Sequence, residues 1–338
     1  MEHLAIDLGK RESQLCLRNE RGEIVDEARV GTEEIGAYLR KHPSLKRVVL
    51  ETCAEAFDVA DEVVQLGHEV RVVPATLAKA LGVGNHGIKT DRRDARALSI
   101  ASAQTELGSV HIPSKTARER KALCGNREAL VASRTKLVNN ARGYLRTRRI
   151  TVKAGTAASF VKRTRAALEN TPQGLPMGIE RALRGIQALS DLIAEADQEL
   201  KAIALADPVC KLLMTMPGVG PVTSIRFQSA IDDYRRFPNG HRMQSYLGLT
   251  PGERSSSDRK RVTGITKAGP TQLRWVLVQA AWSLWRTRKS DPLVLWAQGI
   301  AARRGKAVAI LALARKMSSV LRAMWLSGQP YEPLHISK

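Results

Sequence analysis

Cysteine is scarce in this 338-residue chain: there are four, Cys16, Cys53, Cys124 and Cys210, far apart and with no Cys-x-x-Cys pair. That spacing argues against a disulfide framework and a structural zinc, and it fits a reducing compartment. Long apolar runs are missing as well. The longest, Ala307 to Ala314, has eight residues, far short of the roughly 18 that a membrane span needs. The N-terminus Met1-Glu2-His3-Leu4-Ala5-Ile6-Asp7 has acids and no basic segment, so it does not read as a signal peptide. The expectation is a soluble cytoplasmic protein with no membrane partner.

Acidic residues are outnumbered, 33 Asp and Glu against 54 Lys and Arg, for a formal charge of +21. The shortage is local. Residues 1–105 carry 15 basic and 17 acidic side chains, residues 106–205 carry 18 and 9, and residues 206–338 carry 21 and 7. An excess confined to the last two-thirds is the electrostatic footprint of a polyanion binder. A hydrophobic content of 43% supplies real cores and excludes a disordered basic tail. At about 150 residues per domain, the length allows two domains and a third element.

The acid-balanced front reads as mixed α/β. His3–Asp7, Gln14–Arg18 and Glu23–Val30 have strand patterns, with Asn19-Glu20-Arg21-Gly22 as a hairpin turn. A helical stretch (Thr32–Lys41), a strand (Arg47–Glu51), a helix (Glu55–Gln65), a strand (Val70–Val73) and a helix (Asp91–Gln104) follow. Three strands in hairpin order, then alternating α and β, is the element order of a ribonuclease-H-like fold.

The middle is helical. Leu123, Leu130, Leu137 and Tyr144 recur every seven residues, flanked by Cys124, Val131, Val138 and Leu145. Such a heptad seam predicts a coiled-coil arm or an oligomerisation surface, giving a dimer or tetramer. A second stripe runs through Ile179, Leu183, Ile186, Ile193, Leu200 and Ile203, and an antiparallel hairpin within one chain is the competing outcome. Arg127, Arg134, Arg142, Arg146, Arg148 and Arg149 are expected on outward faces, in solvent or against nucleic acid.

The last part, 207–330, reads as helical. Around Met216-Pro217-Gly218-Val219-Gly220 the pattern is helix–hairpin–helix, whose Gly218 and Gly220 turn and following helix N-terminus suit a phosphate. A plain helical hairpin explains the same residues. Further helices are expected over Gln272–Arg286 and Gly305–Leu326. All five tryptophans lie here, and Trp275 and Trp282, seven apart, are read as core before stacking platforms.

Four carboxylates stand out. Asp7 and Glu51 end neighbouring strands, and Asp91 and Asp94 open a helix after the glycine-rich stretch Gly82–Gly87. Brought together, they would repel unless divalent cations neutralised them; hard oxygen donors suit two Mg²⁺ or Mn²⁺ ions at a phosphodiester. Taken singly, Asp91 and Asp94 favour any helix N-terminus, Asp7 caps a turn, and Glu51 pairs with Arg47.

Asp7-Leu8-Gly9-Lys10, Glu51-Thr52 and Lys89-Thr90-Asp91-Arg92-Arg93-Asp94-Ala95 resemble the DEDD, RuvC-like N-terminal domain of the IS-one-ten family of insertion-sequence transposases, with the related Piv-type DNA invertases. Met216–Gly220, Tyr246-Leu247-Gly248-Leu249-Thr250-Pro251, Ser255-Ser256-Ser257, Ile265-Thr266-Lys267-Ala268-Gly269 and Leu273-Arg274 resemble that family's C-terminal transposase domain. The resemblance implies a RuvC-like domain over 1–112, a helical coiled-coil arm over 113–206 and a transposase domain over 207–330. It also implies a recombinase acting on double-stranded donor and target DNA. In it, Asp7, Glu51, Asp91 and Asp94 hold divalent metal, a serine becomes covalently joined to DNA, and a structured guide RNA directs the exchange.

In this family the serine usually stands five residues after the Pro of Gly-Leu-x-Pro and precedes a glycine. Counting from Pro251 gives Ser256, but Ser257 takes the glycine's place, so Ser255 and Ser257 are alternatives. A serine hydroxyl needs activation to act as a nucleophile, and the surrounding Arg254, Arg259, Lys260, Arg261 and Lys267 suit a phosphate-rich substrate. The competing readings are a metal-dependent nuclease or junction resolvase without a covalent intermediate, and a non-enzymatic nucleic-acid-binding protein.

Overall fold

A computed structural model describes residues 1–44, 46–80, 90–104, 106–169, 177–256 and 259–333, with the backbone alone at 79, 80, 254–256 and 259–262. Two compact units divide the chain, Met1–Pro113 and Ser114–Lys338.

The first unit is built on β1 (Glu2–Asp7), β2 (Glu12–Arg18), β3 (Ile24–Gly31), α1 (Ile35–Lys41), β4 (Lys46–Glu51), α2 (Ala56–Gln65), β5 (Glu69–Val73), α3 (Ala75–Ala80) and α4 (Asp91–Gln104). Its five-stranded mixed sheet has the order β3-β2-β1-β4-β5. β1, β2 and β3 pair antiparallel, while β4 lies parallel to both β1 and β5. The element order read from sequence, three strands in hairpin order and then alternating helix and strand, is the order found. Period-two alternation sorts the side chains into two layers. Leu4, Ile6, Leu15, Leu17, Val48, Leu50 and Val72 pack against α1 and α2. Ala5, Val49 and Val73 pack on the other face with Leu98 and Ala101 of α4.

The second unit begins with α5 (Lys115–Thr147), followed by α6 (Phe160–Leu168) and α7 (Met177–Ala206). Ser114 caps α5, accepting the Ala117 N–H at 3.1 Å. α5 and α7 lie antiparallel within one chain: Arg127 meets Asp197, Arg134 meets Ser190, and Leu137 lies beside Gly185. The buried positions of α5 are Ala117, Cys124, Val138, Ala141 and Leu145, whereas Leu123, Leu130, Leu137 and Tyr144 are partly covered. The seam is therefore centred on the flanking stripe, one residue from the leucine heptad. α7 buries Ile179, Leu183, Ile186, Ile193 and Leu200 with polar Ser190 and Asp197 in the same spacing. Two arginines expected on an outward face instead reach these polar positions, Arg127 Nε to Asp197 Oδ1 at 2.5 Å and Arg134 Nη1 to Ser190 Oγ at 3.3 Å. These polar pairs lie along the edge of the seam, with 44% of the Asp197 side chain still exposed, and they match one register of the two helices.

Then come α8 (Pro208–Met214), α9 (Pro221–Ile231), α10 (Gly240–Tyr246), β6 (Pro251–Ser256), β7 (Arg259–Ile265), α11 (Thr271–Thr287), α12 (Pro292–Arg304) and α13 (Lys306–Ser327). The helices share a core that includes Leu213, Phe227, Met243, Leu277, Leu284, Ile310 and Leu321. Two strands depart from the all-helical expectation. β6 and β7 form an antiparallel ribbon, unforeseen because serines and arginines without apolar alternation carry no strand signal. α10 and α12 also stand outside the helices expected from the sequence. Trp282 packs partly buried against the core, but Trp275 is 51% exposed, contrary to its reading as core. The buried stripe of α11 runs through Leu273, Val276, Leu277, Ala280, Ala281 and Leu284, to one side of it. Among the described residues no helix is long and apolar enough to cross a membrane.

Candidate active-site elements

Asp7 and Glu51 end β1 and β4, one step beyond the paired residues Ile6 and Leu50 of two parallel strands. They therefore stand at the same level on adjacent strands. By alternation Asp7 shares a face with Ala5, and Glu51 with Val49, which is the face that α4 covers. The direction of α4 follows from its contacts. Ser102 near its C-terminal end bonds His3 Nδ1 at 2.9 Å, and Ser99 accepts from Arg18 Nε at 2.8 Å, with Arg18 paired to His3 across the sheet. Five residues back from Ser99, about 7.5 Å of helix, brings Asp94 toward the level of Asp7. α4 thus runs against β1 and delivers its first turn to the carboxyl ends of β1 and β4. There Asp94 is buried and Asp91 exposed.

The carboxylates reach one end of the sheet without closing into a cage. Among the described residues no set of three or more His, Cys, Asp or Glu side chains is placed to hold one metal ion. The donor chemistry still fits a hard divalent cation, since all four are carboxylate oxygens. Arg47, the alternative partner for Glu51, donates instead to Glu69 at 3.0 Å. The stretch Gly82–Gly87 lies outside the described residues.

In the second unit, β6 carries Ser255 and Ser256, paired in register with Lys260 and Arg259 of β7, while Arg254 pairs with Arg261. Alternation along that ladder puts positions 254, 256, 259 and 261 on one face of the ribbon and 255 and 260 on the other. Ser257 lies outside the described residues. Lys267 is exposed just beyond β7, with a positive φ of 57°. The turn before α9 has a packing role of its own: Gly218 has φ +89°, and a Cβ there would lie 2.5 Å from the Ala280 carbonyl of α11. Gly220 precedes Pro221 at the start of α9, with open space around its Cα.

The profile of the "Transposase IS116/IS110/IS902 family" matches residues 210–293, and that of the DEDD transposases of IS110 type matches residues 4–149. The first match spans the serine ribbon and the second spans all four carboxylates. This chain belongs to the IS110 family. Similar proteins bear this out along nearly its whole length. A "Transposase for insertion sequence element IS1111A" from Coxiella burnetii is 29% identical over 97% of this chain and 90% of that protein. A "Probable family 20 transposase" from Pseudomonas aeruginosa is 28% identical over 98% and 99%. A "Transposase for insertion sequence element IS1328" from Yersinia enterocolitica is 27% identical over 96% and 97%.

Two residues of this IS110-family chain have roles that the sequence alone does not give. Glu27, on β3, binds both Arg92 and Arg96 of α4, at 2.5 Å each. The bonds from Arg96 and then Arg92 pull its carboxyl down to about 2. This cluster pins the N-terminal half of the helix that bears Asp91 and Asp94. The only local signal was two arginines four apart on one helix face. Arg274 is the other. Its buried guanidinium bonds backbone carbonyls at the base of the ribbon, a role that no spacing announces.

Proposed function

We propose that this transposase cuts and rejoins DNA through a phosphodiester to Ser256. In this reading residues 1–112 form the RuvC-like catalytic part, 113–206 the helical arm, and 207–330 the part bearing the nucleophile. The observation that carries it is a pair of chemically matched elements in one chain: carboxylates at one end of a sheet, and a serine on a ribbon with several arginine positions. Ser256 is preferred to Ser255 because its face of the ribbon holds three arginine positions, 254, 259 and 261. That is the face a phosphate backbone would meet. Lys260, Lys267 and the Gly218–Gly220 turn are assigned to further phosphate contact.

The reaction conserves bond type. The Ser256 oxygen attacks phosphorus and loses its proton, the phosphorus–sugar oxygen bond breaks, and the freed sugar oxygen takes up a proton. A sugar hydroxyl then reverses the exchange on a new strand. One phosphodiester replaces another, so no nucleotide triphosphate is required. Asp7, Glu51, Asp91 and Asp94 are the residues that would hold Mg²⁺ or Mn²⁺, which supplies charge stabilisation at the reacting phosphate. A structured guide RNA choosing donor and target, and a dimer or tetramer, complete the proposal. Because the α5–α7 seam is filled within one chain, self-association uses other surfaces.

The test is a nicked suicide duplex carrying the ends of the element, with adduct mapping by peptide mass spectrometry and single alanine changes at 255, 256 and 257. An adduct on Ser256 that Ser256→Ala alone abolishes is expected. Free DNA ends with no adduct would favour a metal-dependent nuclease instead. Sequencing the RNA that co-purifies with the protein tests the guide.

A further inference from the structure

We propose that Arg274 is the positioning residue of the serine ribbon: it joins the ribbon's two roots and so sets where Ser256 meets the phosphate. The inference rests on Ser256 as nucleophile. A two-stranded ribbon is marginal by itself, so its direction is decided where it leaves and rejoins the helical core. Arg274 sits at that junction, in the first turns of α11, and is 8% exposed. Its Nη1 donates to the Leu247 carbonyl at 3.0 Å, the Ala268 carbonyl at 2.6 Å and the Gly269 carbonyl at 3.4 Å, and its Nη2 donates to Thr271 Oγ1 at 3.1 Å. Leu247 lies just before β6, while Ala268 and Gly269 lie just after β7. One guanidinium therefore grips both roots.

The roots are interlocked by backbone as well. Thr266 N–H donates to the Thr250 carbonyl at 2.9 Å and Lys267 N–H to the Gly248 carbonyl at 3.1 Å. Gly248 and Gly269 have φ of +63° and +71°, and a Cβ on either would lie 2.2 and 2.0 Å from the carbonyls of Ala268 and Tyr246. These contacts close the junction, but they all run between the two roots. Arg274 ties that pair to α11 and hence to the core. An apolar side chain would fill the same volume without the cost of taking a charge out of water. What the planar fork adds is several donors held at fixed angles, which lysine's single ammonium cannot reproduce. The gain is orientation, and orientation is what an in-line displacement requires.

The experiment compares the full-length protein with Arg274→Lys, which keeps the charge and loses the fork, and with Thr271→Val, a milder change that removes one partner. Three readouts are taken: adduct formation on the suicide duplex, affinity for the same duplex, and amide hydrogen exchange along residues 251–265. For Arg274→Lys, adduct formation should fall by about 100-fold, the scale of a misplacement near 1 Å, with affinity kept within about twofold. Exchange should quicken over the ribbon and not over α11–α13, and stray adducts should appear on Ser255 or Ser257. Thr271→Val should shift the same readouts in the same direction, by less. Unchanged adduct formation with unchanged ribbon exchange would overturn the proposal. So would exchange that quickens evenly through the second unit together with lost affinity, the mark of a merely structural residue. If the unaltered protein forms no serine adduct, the Ser256 reading fails first and takes the catalytic meaning of Arg274 with it. The exchange measurement separates that failure from a failure of Arg274 to hold the ribbon.

Discussion

Glu27 and Arg96 meet in two parallel hydrogen bonds, Nε to Oε1 at 2.5 Å and Nη2 to Oε2 at 2.6 Å. The pair joins β3 at the sheet edge to α4, the helix that carries Asp91 and Asp94. With Arg92 bonded to the same carboxylate, the position of two candidate metal ligands depends on a residue more than sixty positions earlier.

Glu27→Gln should therefore loosen α4, and the effect should depend on pH. In the folded protein the Glu27 carboxyl lies well below its ordinary value of 4.5, at about 2. A group whose folded pKa is depressed contributes stability that is full above the unfolded pKa and is lost as pH falls through the folded one. The difference in urea midpoint between the unaltered protein and Glu27→Gln should be constant above about pH 5. It should shrink below 4.5 and vanish near 2. A difference that stays level across that window would mean the ion pairs do not hold α4.

Asp7→Asn and Asp91→Asn should abolish adduct formation and strand exchange while leaving duplex affinity largely intact, because like-charge crowding is relieved by metal and not by DNA. Calorimetric titration with Mn²⁺ should show weaker binding in both variants. Strand exchange that persists undiminished in Asp7→Asn would remove the carboxylates from the mechanism.

In the arm, Leu145→Ala should destabilise more than Leu130→Ala. Leu145 is 1% exposed and belongs to the core shared with Phe160, Ile179 and Leu183, whereas Leu130 is only partly covered. Truncating a fully buried leucine costs about 2–5 kcal/mol, which chemical denaturation reads directly. Equal losses would return the seam to the leucine heptad.

Gly269→Ala and Gly328→Ala separate backbone strain from close approach. Both glycines have similar positive φ, +71° and +68°, but only Gly269 faces a carbonyl, with open space around Gly328. Gly328→Ala should show the left-handed penalty alone, about 1–2 kcal/mol. Gly269→Ala should lose more, and serine adducts with it. Matching unfolding midpoints for the two variants would show that the ribbon's roots tolerate displacement.

The sequence by itself determined the local elements and the residues to watch. Strands β1 to β5 and the helix bearing Asp91 and Asp94 were legible because alternation and helical spacing are short-range signals. Asp7 and Glu51 could be placed at strand ends for the same reason. Tertiary structure decided what those residues face. That α4 runs against β1, that Arg127 and Arg134 turn to the edge of a seam, and that Ser255 and Ser256 ride a ribbon all depend on partners distant along the chain. Arg274 shows the limit most plainly. Its partners are backbone carbonyls, which every residue possesses, so no pattern of side chains could point to them until the fold had brought Leu247, Ala268 and Gly269 around one guanidinium.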